Sequence, residues 1–449
     1  MSDLLSIGLS GLSAYRSALS AVGDNVSNAE TPGFARRSVR LGEAGSGGSG
    51  SIGEGEGIAF SGVKANAVIR AWDDFKAADA RLSASVASRA LTRQQWLTAV
   101  ESALSETAGG VGALVGDFFN AGVSLAANPG DVLSRSAMLA ALDEAAGAIR
   151  NAGDALIRVA DGIGTAAQLE VEALNADLAA LAEVNLAVRQ AEPGRSSRAS
   201  LEDERDRLID SISAKIDVTT AIGNDGTAIL TLAADTGVTL LDMNTRALIS
   251  VAPAADGRLS LQLRANGVAA PLPANGGSLA GLVGVSATTA DQRIELDAMA
   301  AQFVSSINNW SAAGLDKNGN PGAALLGITA GASTVRLLTT DPAAIAAAAP
   351  GGAENGNLLD LPGLRDANGF EARWAALVTS QAQTLAAARA EAAAASTRRD
   401  NSFAARDETA GIDLDREAAD LMRYQQAYGA SAKIIQVARE TLQSILDLF

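Results

Sequence analysis

Residues 414–449 read LDREAADLMRYQQAYGASAKIIQVARETLQSILDLF, and Leu414, Leu421, Tyr428, Ile435, Leu442 and Phe449 stand in them at strict seven-residue spacing. Ala418, Ala432 and Leu446 lie four residues further on, while Gln425 and Arg439 interrupt that second row. A straight α-helix drifts away from a seven-residue period, so a row that keeps it over this length suits helices wrapped around one another. The stretch therefore predicts a long helix patterned for a helical partner.

The opposite end carries a weaker version of the same pattern. Leu5, Leu12, Leu19 and Val26 recur every seven residues, and Gly8, Tyr15 and Val22 fill the positions three later. Thr31-Pro32-Gly33-Phe34 stops this helix, because Pro presets the first turn angle and Gly accepts the positive φ of the second. Chain ends ordinarily fray, so two seams at the extremes of one chain call for a partner. Pairing the ends antiparallel is the simplest way to bury both, and the chain then leaves and re-enters every domain. The leucine rows at the two ends, from Leu5 to Val26 and from Leu414 to Phe449, are the candidate assembly interface.

Working inward, residues 43–57 form a Gly/Ser-rich linker, followed by a strand-like piece over 58–69. Helical patterns run from Ala71 to about Glu106, over 111–127 and over 131–190, where Gly147, Gly153, Gly162 and Gly164 are expected to bend or break the helix. Glu192-Pro193-Gly194 closes it, and another helix covers 200–215. From about 216 short apolar runs at 228–232, 238–241, 248–251 and 259–263 alternate with Asn-Asp-Gly and Asp-Gly turns, which are hairpin signals. Helix returns at about 288–313. Residues 314–363 are rich in Gly, Asn and Pro, and the chain is then helical from Phe370 onward with a break near 399–412.

The expected fold is mainly α with a β-containing part. Its domains are discontinuous: long N- and C-terminal helices pair as a coiled coil, and a helical-bundle middle domain carries the β-hairpins. The units are 1–42 with 411–449, then the linker, then 58–313 with 364–410, its hairpins at about 216–283. Residues 314–363 are a small loop-rich insertion or a reduced outer domain.

Composition restricts the chemistry. The 449 residues contain no Cys and no His, which removes disulfides, thiolate nucleophiles, zinc sites of the usual donors and every imidazole acid/base pair. A net charge of −16 disfavours a nucleic-acid partner. No apolar run approaches the roughly 20 residues of a membrane span, and the N-terminus lacks the features of a cleaved secretory signal.

The apparent sites read as ordinary structure. Gly45, Gly47 and Gly50 satisfy G-x-G-x-x-G but lie in the linker, with no helix to receive a phosphate. Asp316, Asn318 and Asn320 resemble the start of a calcium loop, but Pro321 replaces the turn glycine and Gly327 the bidentate Glu, leaving a polar turn. Asp73-Asp74, Glu202-Asp203-Glu204 and Asp413–Asp415 read as solvated helix faces and helix N-terminal charge. Arg36, Arg37 and Arg40 read as a solvated segment or an interface rim. No catalytic, cofactor or metal residues are assigned, and an enzyme is not expected.

Two longer motifs resemble the flagellar axial family of rod, hook and hook-associated proteins. The first is LSAVGDNVSNAETPGF at 19–34, with Asn25, Asn28, Thr31, Pro32, Gly33 and Phe34 in the family's order. The second is GIDLD at 411–415, then LMRYQQAY at 421–428 with Tyr424, Gln425 and Gln426, then Ser431, Ala432 and Lys433. The Tyr-Gln-Gln-Ala-Tyr run, the long helical region 71–215, LEDERDRLID at 201–210 and AGLDKNGNP at 313–321 look like the hook-associated branch at the hook–filament junction. The resemblance implies a structural, self-assembling flagellar component, outside the cell, exported through the flagellar type III apparatus with its N-terminus uncleaved. It implies as partners further copies of itself in a helical or ring-like array, hook protein, hook-associated protein 3 and an export chaperone, with no nucleic acid, no membrane insertion and no cofactor. Another axial protein (hook or distal rod) and, more remotely, a secreted coiled-coil effector or adhesin are the alternatives.

Overall fold

The computed structural model describes residues 2–44, 62–106, 109–243, 245–265 and 268–447. Phe449, the glycines at 45, 47 and 50 and most of the linker lie outside the described residues. The chain opens with α1 (Ser2–Ser27) and a β-ribbon, β1 (Arg37–Glu43) and β2 (Val63–Arg70). Four helices follow: α2 (Asp74–Ala103), α3 (Val111–Ala127), α4 (Val132–Gln190) and α5 (Ser196–Lys215). Two antiparallel sheets come next. The first is β3 (Val218–Ile222), β4 (Ala228–Leu232) and β5 (Asp235–Leu241); the second is β6 (Leu248–Pro253), β7 (Leu259–Ala265) and β8 (Val268–Pro271). The chain then runs through α6 (Gly277–Ala313), the short α7 (Gly356–Asp360), α8 (Phe370–Ala410) and α9 (Leu414–Leu446).

The first and last helices pair with each other, and their other principal contacts are those of α1 with the ribbon. They form a two-helix arm. All the other helices and both three-stranded sheets make the body, in which α2 packs along α8 and α6, and α4 along α3, α5 and α6. A fold that is mainly helical, with small antiparallel sheets and paired ends, is what the periodicities predict.

The body has two apolar centres. In one, Phe118, Phe303, Phe370 and Trp374 form an aromatic chain, with ring centroids 6.4, 5.2 and 6.4 Å apart in that order. In the other, Ile163, Leu174, Leu178 and Leu181 of α4 meet Ile209 and Ile212 of α5 and the inner faces of both sheets. Asn175 and Asn185, ten residues apart on α4, each bond both the N–H and the C=O of one strand residue. Asn175 takes Ile249 at 2.9 and 2.8 Å, and Asn185 takes Ala228 at 2.8 and 2.8 Å. Each amide stands in for a neighbouring strand where the ladder ends against a helix.

Several boundaries differ from the sequence-based expectation. Helix α4 runs unbroken through all four glycines. Two of them are notches for neighbours: a Cβ on Gly153 would stand 2.8 Å from the Ser333 backbone nitrogen, and one on Gly162 would stand 3.0 Å from the Trp96 ring. Helix α6 begins at Gly277 rather than near 288, so 277–283 is helix and not part of the hairpins. Its first turns bury Leu279, Leu282 and Val285, and that burial outweighs the low helix propensity of three nearby glycines. The break expected at 399–412 shrinks to 411–413. The loop-rich stretch 314–363 has no core of its own. Its Leu325, Leu326, Val335, Ile345 and Leu358 are buried in the aromatic centre with α3, α4 and α6.

Candidate assembly interface

The arm is built on small residues. On α1, Gly8, Gly11, Ala14, Ala18, Ala21, Val22 and Asn25 are buried, in steps of mostly three and four. On α9 the buried residues are Glu417, Ser431 and Ala438, which with half-buried Tyr424 form a strict seven-residue row. The helices run antiparallel, so that Gly8 lies against Ile435, Gly11 against Ser431 and Asn25 against Glu417. A Cβ on Gly8 would come within 2.5 Å of Ile435 Cγ1, and one on Gly11 within 2.5 Å of Ser431 Oγ. At both positions a side chain would force the facing residue or the helices to shift. Tyr15 and Tyr424 face each other across the seam at 6.5 Å. The Tyr424 hydroxyl accepts a hydrogen bond from Arg423 at 3.1 Å, and with the nearby Asp420 carboxylate this holds that guanidinium's pKa above its ordinary value.

The leucine rows flank this seam instead of filling it. Leu5, Leu12, Leu19, Leu421, Ile435 and Leu442 are half-buried, whereas Val26, Leu414 and Tyr428 are exposed. Large apolar side chains therefore line the outside of the arm. Leu9 is 59% exposed, Met422 58%, Val437 51% and Leu446 67%, which is much apolar surface for two helices to leave in water.

The motif residues gather at the joint between arm and body. Asn25, fully buried, donates to the Arg37 carbonyl at 2.8 Å and to Glu417 Oε2 at 2.9 Å, and accepts from the Arg37 N–H at 2.9 Å. Arg36 closes the same knot, donating to Glu417 Oε1 at 2.6 Å and to Asp420 at 3.2 Å. Asn28 donates to the Asp24 carbonyl and accepts from the Thr31 hydroxyl, which ends α1, and Gly33 takes a φ of 79° at the turn. Phe34 lies with its ring 4.4 Å from the Arg37 guanidinium carbon. Gln425, Gln426, Ala432 and Lys433 stay exposed on α9.

Arg36 and Arg37 are thus not a solvated segment. Adjacent residues of extended chain point to opposite sides, so Arg36 turns to α9 and Arg37 to α5. On α5, Asp203, Asp206 and Asp210 share one face in helical steps of three and four, and arginines from four elements interleave with them. Arg37 of β1 meets Asp203 at 2.7 Å, and Arg70 of β2 meets Asp203 at 2.8 Å and Asp206 at 2.9 Å. Arg81 of α2 meets Asp206 at 3.3 Å and Asp210 at 2.7 Å, and Arg406 of α8 meets Asp210 at 2.7 Å. Asp203 is buried, against the expectation of a solvated face for Glu202-Asp203-Glu204, and Asp206 beside it is buried too. The signal was present in the sequence as carboxylates at i, i+3 and i+7, but their arginine partners are too remote in the chain to be matched by spacing.

The remaining acidic pairs do local work. Asp73 and Asp413 cap α2 and α9, each accepting two backbone N–H bonds. The Asp316 carboxylate accepts from the Asn318 and Asn320 N–H groups of its own loop. Among the described residues no cluster of three or more acidic side chains is placed to hold a metal ion, and no helix is long and apolar enough to cross a membrane.

Fold and site together define a class: a helical structural subunit whose two chain ends close into one arm carrying an apolar outer surface. Comparison with known proteins agrees at both levels. Residues 5–34 match the family described as flagella basal body rod protein, and residues 405–448 match the flagellar basal body rod FlgEFG protein C-terminal family. Residues 97–326, more than half of the chain, match the flagellar hook-associated protein FlgK helical domain. The chain belongs to the flagellar hook-associated protein FlgK family, that of the hook–filament junction, and is a structural component of the flagellum.

Among its relatives, flagellar hook-associated protein 1 of Bacillus subtilis (strain 168) is 25% identical, over 97% of this chain and 96% of the relative. The protein of that name from Escherichia coli (strain K12) is also 25% identical, but the match covers 72% of this chain and only 59% of the relative. A solved structure, the flagellar hook junction protein FlgK from Burkholderia pseudomallei, superposes with a TM-score of 0.66 at 13% identity, over 73% of this chain and 99% of that one.

Proposed function

We propose that the chain polymerises through its two-helix arm at the hook–filament junction, where it adapts one tubular assembly to the next. The observation that carries this reading is the arm itself. Its helices are tied to each other by small residues, and the leucine rows and neighbouring apolar side chains are left outward for further helices. Identical subunits joined by repeating, non-reciprocal contacts generate rings or helical tubes, and each outer-face leucine, many of them already half-buried, would contribute up to about 1.5 kcal/mol when buried fully in such a tube. Hook protein on one side, hook-associated protein 3 on the other and lateral copies of this chain are the neighbours this role requires. Export through the flagellar type III apparatus, with a chaperone shielding α9 beforehand, fits a helix whose outer face is apolar.

Cells lacking the protein are expected to build rods and hooks, to be non-motile, and to shed filament subunits into the medium. Electron micrographs of the cells and an immunoblot of the culture fluid read this directly. Absent hooks would move the protein to the rod or hook, and normal filaments would remove it from the axis.

A further inference from the structure

The arm is held to the body at more than its joint. At its base, the β-ribbon places Arg37 and Arg70 on Asp203, and the Val68 N–H donates to the Gly194 carbonyl of the body at 2.8 Å. Further along α1, the Val63 N–H donates to the Ser10 hydroxyl at 3.2 Å. The six steps along β1, from Arg37 to Glu43, span about 20 Å at ~3.3 Å each. The fifteen helical steps from Ser10 to Asn25 span about 22 Å at ~1.5 Å each. The ribbon is thus a strut of matching length, lying along α1 and footed on α5.

The carboxylate row on α5 divides by what its arginines belong to. Asp203 holds the two ribbon arginines, and Asp210 holds only body arginines, Arg81 and Arg406. Asp206 bridges the two groups through Arg70 and Arg81. The ribbon's own link is also the less completely bonded one. Arg37 makes one short bond to Asp203, a longer one of 3.4 Å to Ser196 and a ring contact with Phe34, while its buried Nε has no hydrogen-bond partner.

We infer that Asp203, acting through Arg37 and Arg70 of the ribbon, is the positioning residue that sets the angle at which the arm leaves the body. Asp210, one step further along the same row, fastens α2 and α8 within the body and leaves that angle alone. This positioning belongs to the isolated subunit, wherever the subunit sits in the flagellum.

The absence of cysteine makes the test direct, because label sites can be added two at a time to the full-length chain. Nitroxides at Glu183→Cys and Lys433→Cys read the body–arm distance, and nitroxides at Lys64→Cys and Lys433→Cys read ribbon–arm. In pulsed electron resonance, Asp203→Asn is expected to widen the body–arm distribution at least twofold and to leave ribbon–arm unchanged. Asp210→Asn should leave both widths unchanged while lowering the body's melting temperature. Arg37→Gln carries the same expectation as Asp203→Asn from a different element, so misfolding of one variant leaves the other to decide. Unchanged body–arm width in the folded variants, or equal widening by Asp210→Asn, overturns the inference. Widening of ribbon–arm by Asp203→Asn overturns it too, since the ribbon would then not travel with the arm.

Discussion

The arm and the body are both helical and both Ala-rich, yet they bury different things. The body closes on aromatic rings and leucines from many elements, including a connecting stretch that looks like loop in the sequence. The arm closes on glycine, alanine and serine, with one buried polar knot at Asn25 and Glu417. Small residues bring two backbones close but remove little apolar area from water, and that area scales the stabilisation. Two helices held by such a seam, with leucines outside, are expected to be less stable on their own than the body. The body needs no neighbour. On the proposed function, this difference would let one chain be both a folded domain and a part completed only by its neighbours.

Four substitutions test the contrast. The largest effect is expected in the body, where Phe303→Ala removes the ring linking Phe118 to Phe370. It should cost about 3–5 kcal/mol in denaturant unfolding followed by Trp fluorescence. Gly11→Val should act on the arm alone, forcing the Ser431 contact apart at about 1–3 kcal/mol. Limited proteolysis would then remove both termini sooner, with the body's melting temperature unchanged. A fall in that temperature would mean that arm and body fold as one unit.

A comparable effect, about 1–3 kcal/mol, is expected from Asn185→Ala, which strands the Ala228 N–H and C=O in the body. Far-ultraviolet circular dichroism on denaturant titration reads it. The smallest is Asp413→Ala at the start of α9, about 1 kcal/mol for a lost helix cap. It should appear as faster amide exchange in the first turns of α9 and as no change in the body's melting.

Much of this was legible beforehand. Helix α3, strand β4 and the terminal helices follow from period, turn residues and caps, which are local properties of the chain. The seam was not legible in the same way. The rows that stand out in sequence, Leu5 to Val26 and Leu414 to Leu442, are conspicuous because they are large. Of the residues that let the helices touch, Gly8 stands out beside the leucine row and Ser431 in the second motif, whereas Gly11 and Ala18 are inconspicuous because they are small. The Asp203–Asp210 row escaped for a different reason: an acidic run with nearby arginines usually is a solvated face, and only the topology brings β1, β2, α2 and α8 to one side of α5. Helix α6 began early because burial overrode local propensity, an outcome that no window of neighbouring residues contains.

Hydrogen–deuterium exchange on the free full-length chain, read peptide by peptide, tests the central claim most directly. Amides of α1 and α9 should exchange orders of magnitude faster than those of α4 and α6, through openings that leave the body intact. In purified hook–filament junctions the same α1 and α9 peptides should become as protected as the body. Equal protection of arm and body in the free chain would contradict the account, because the small-residue seam would then be sufficient alone.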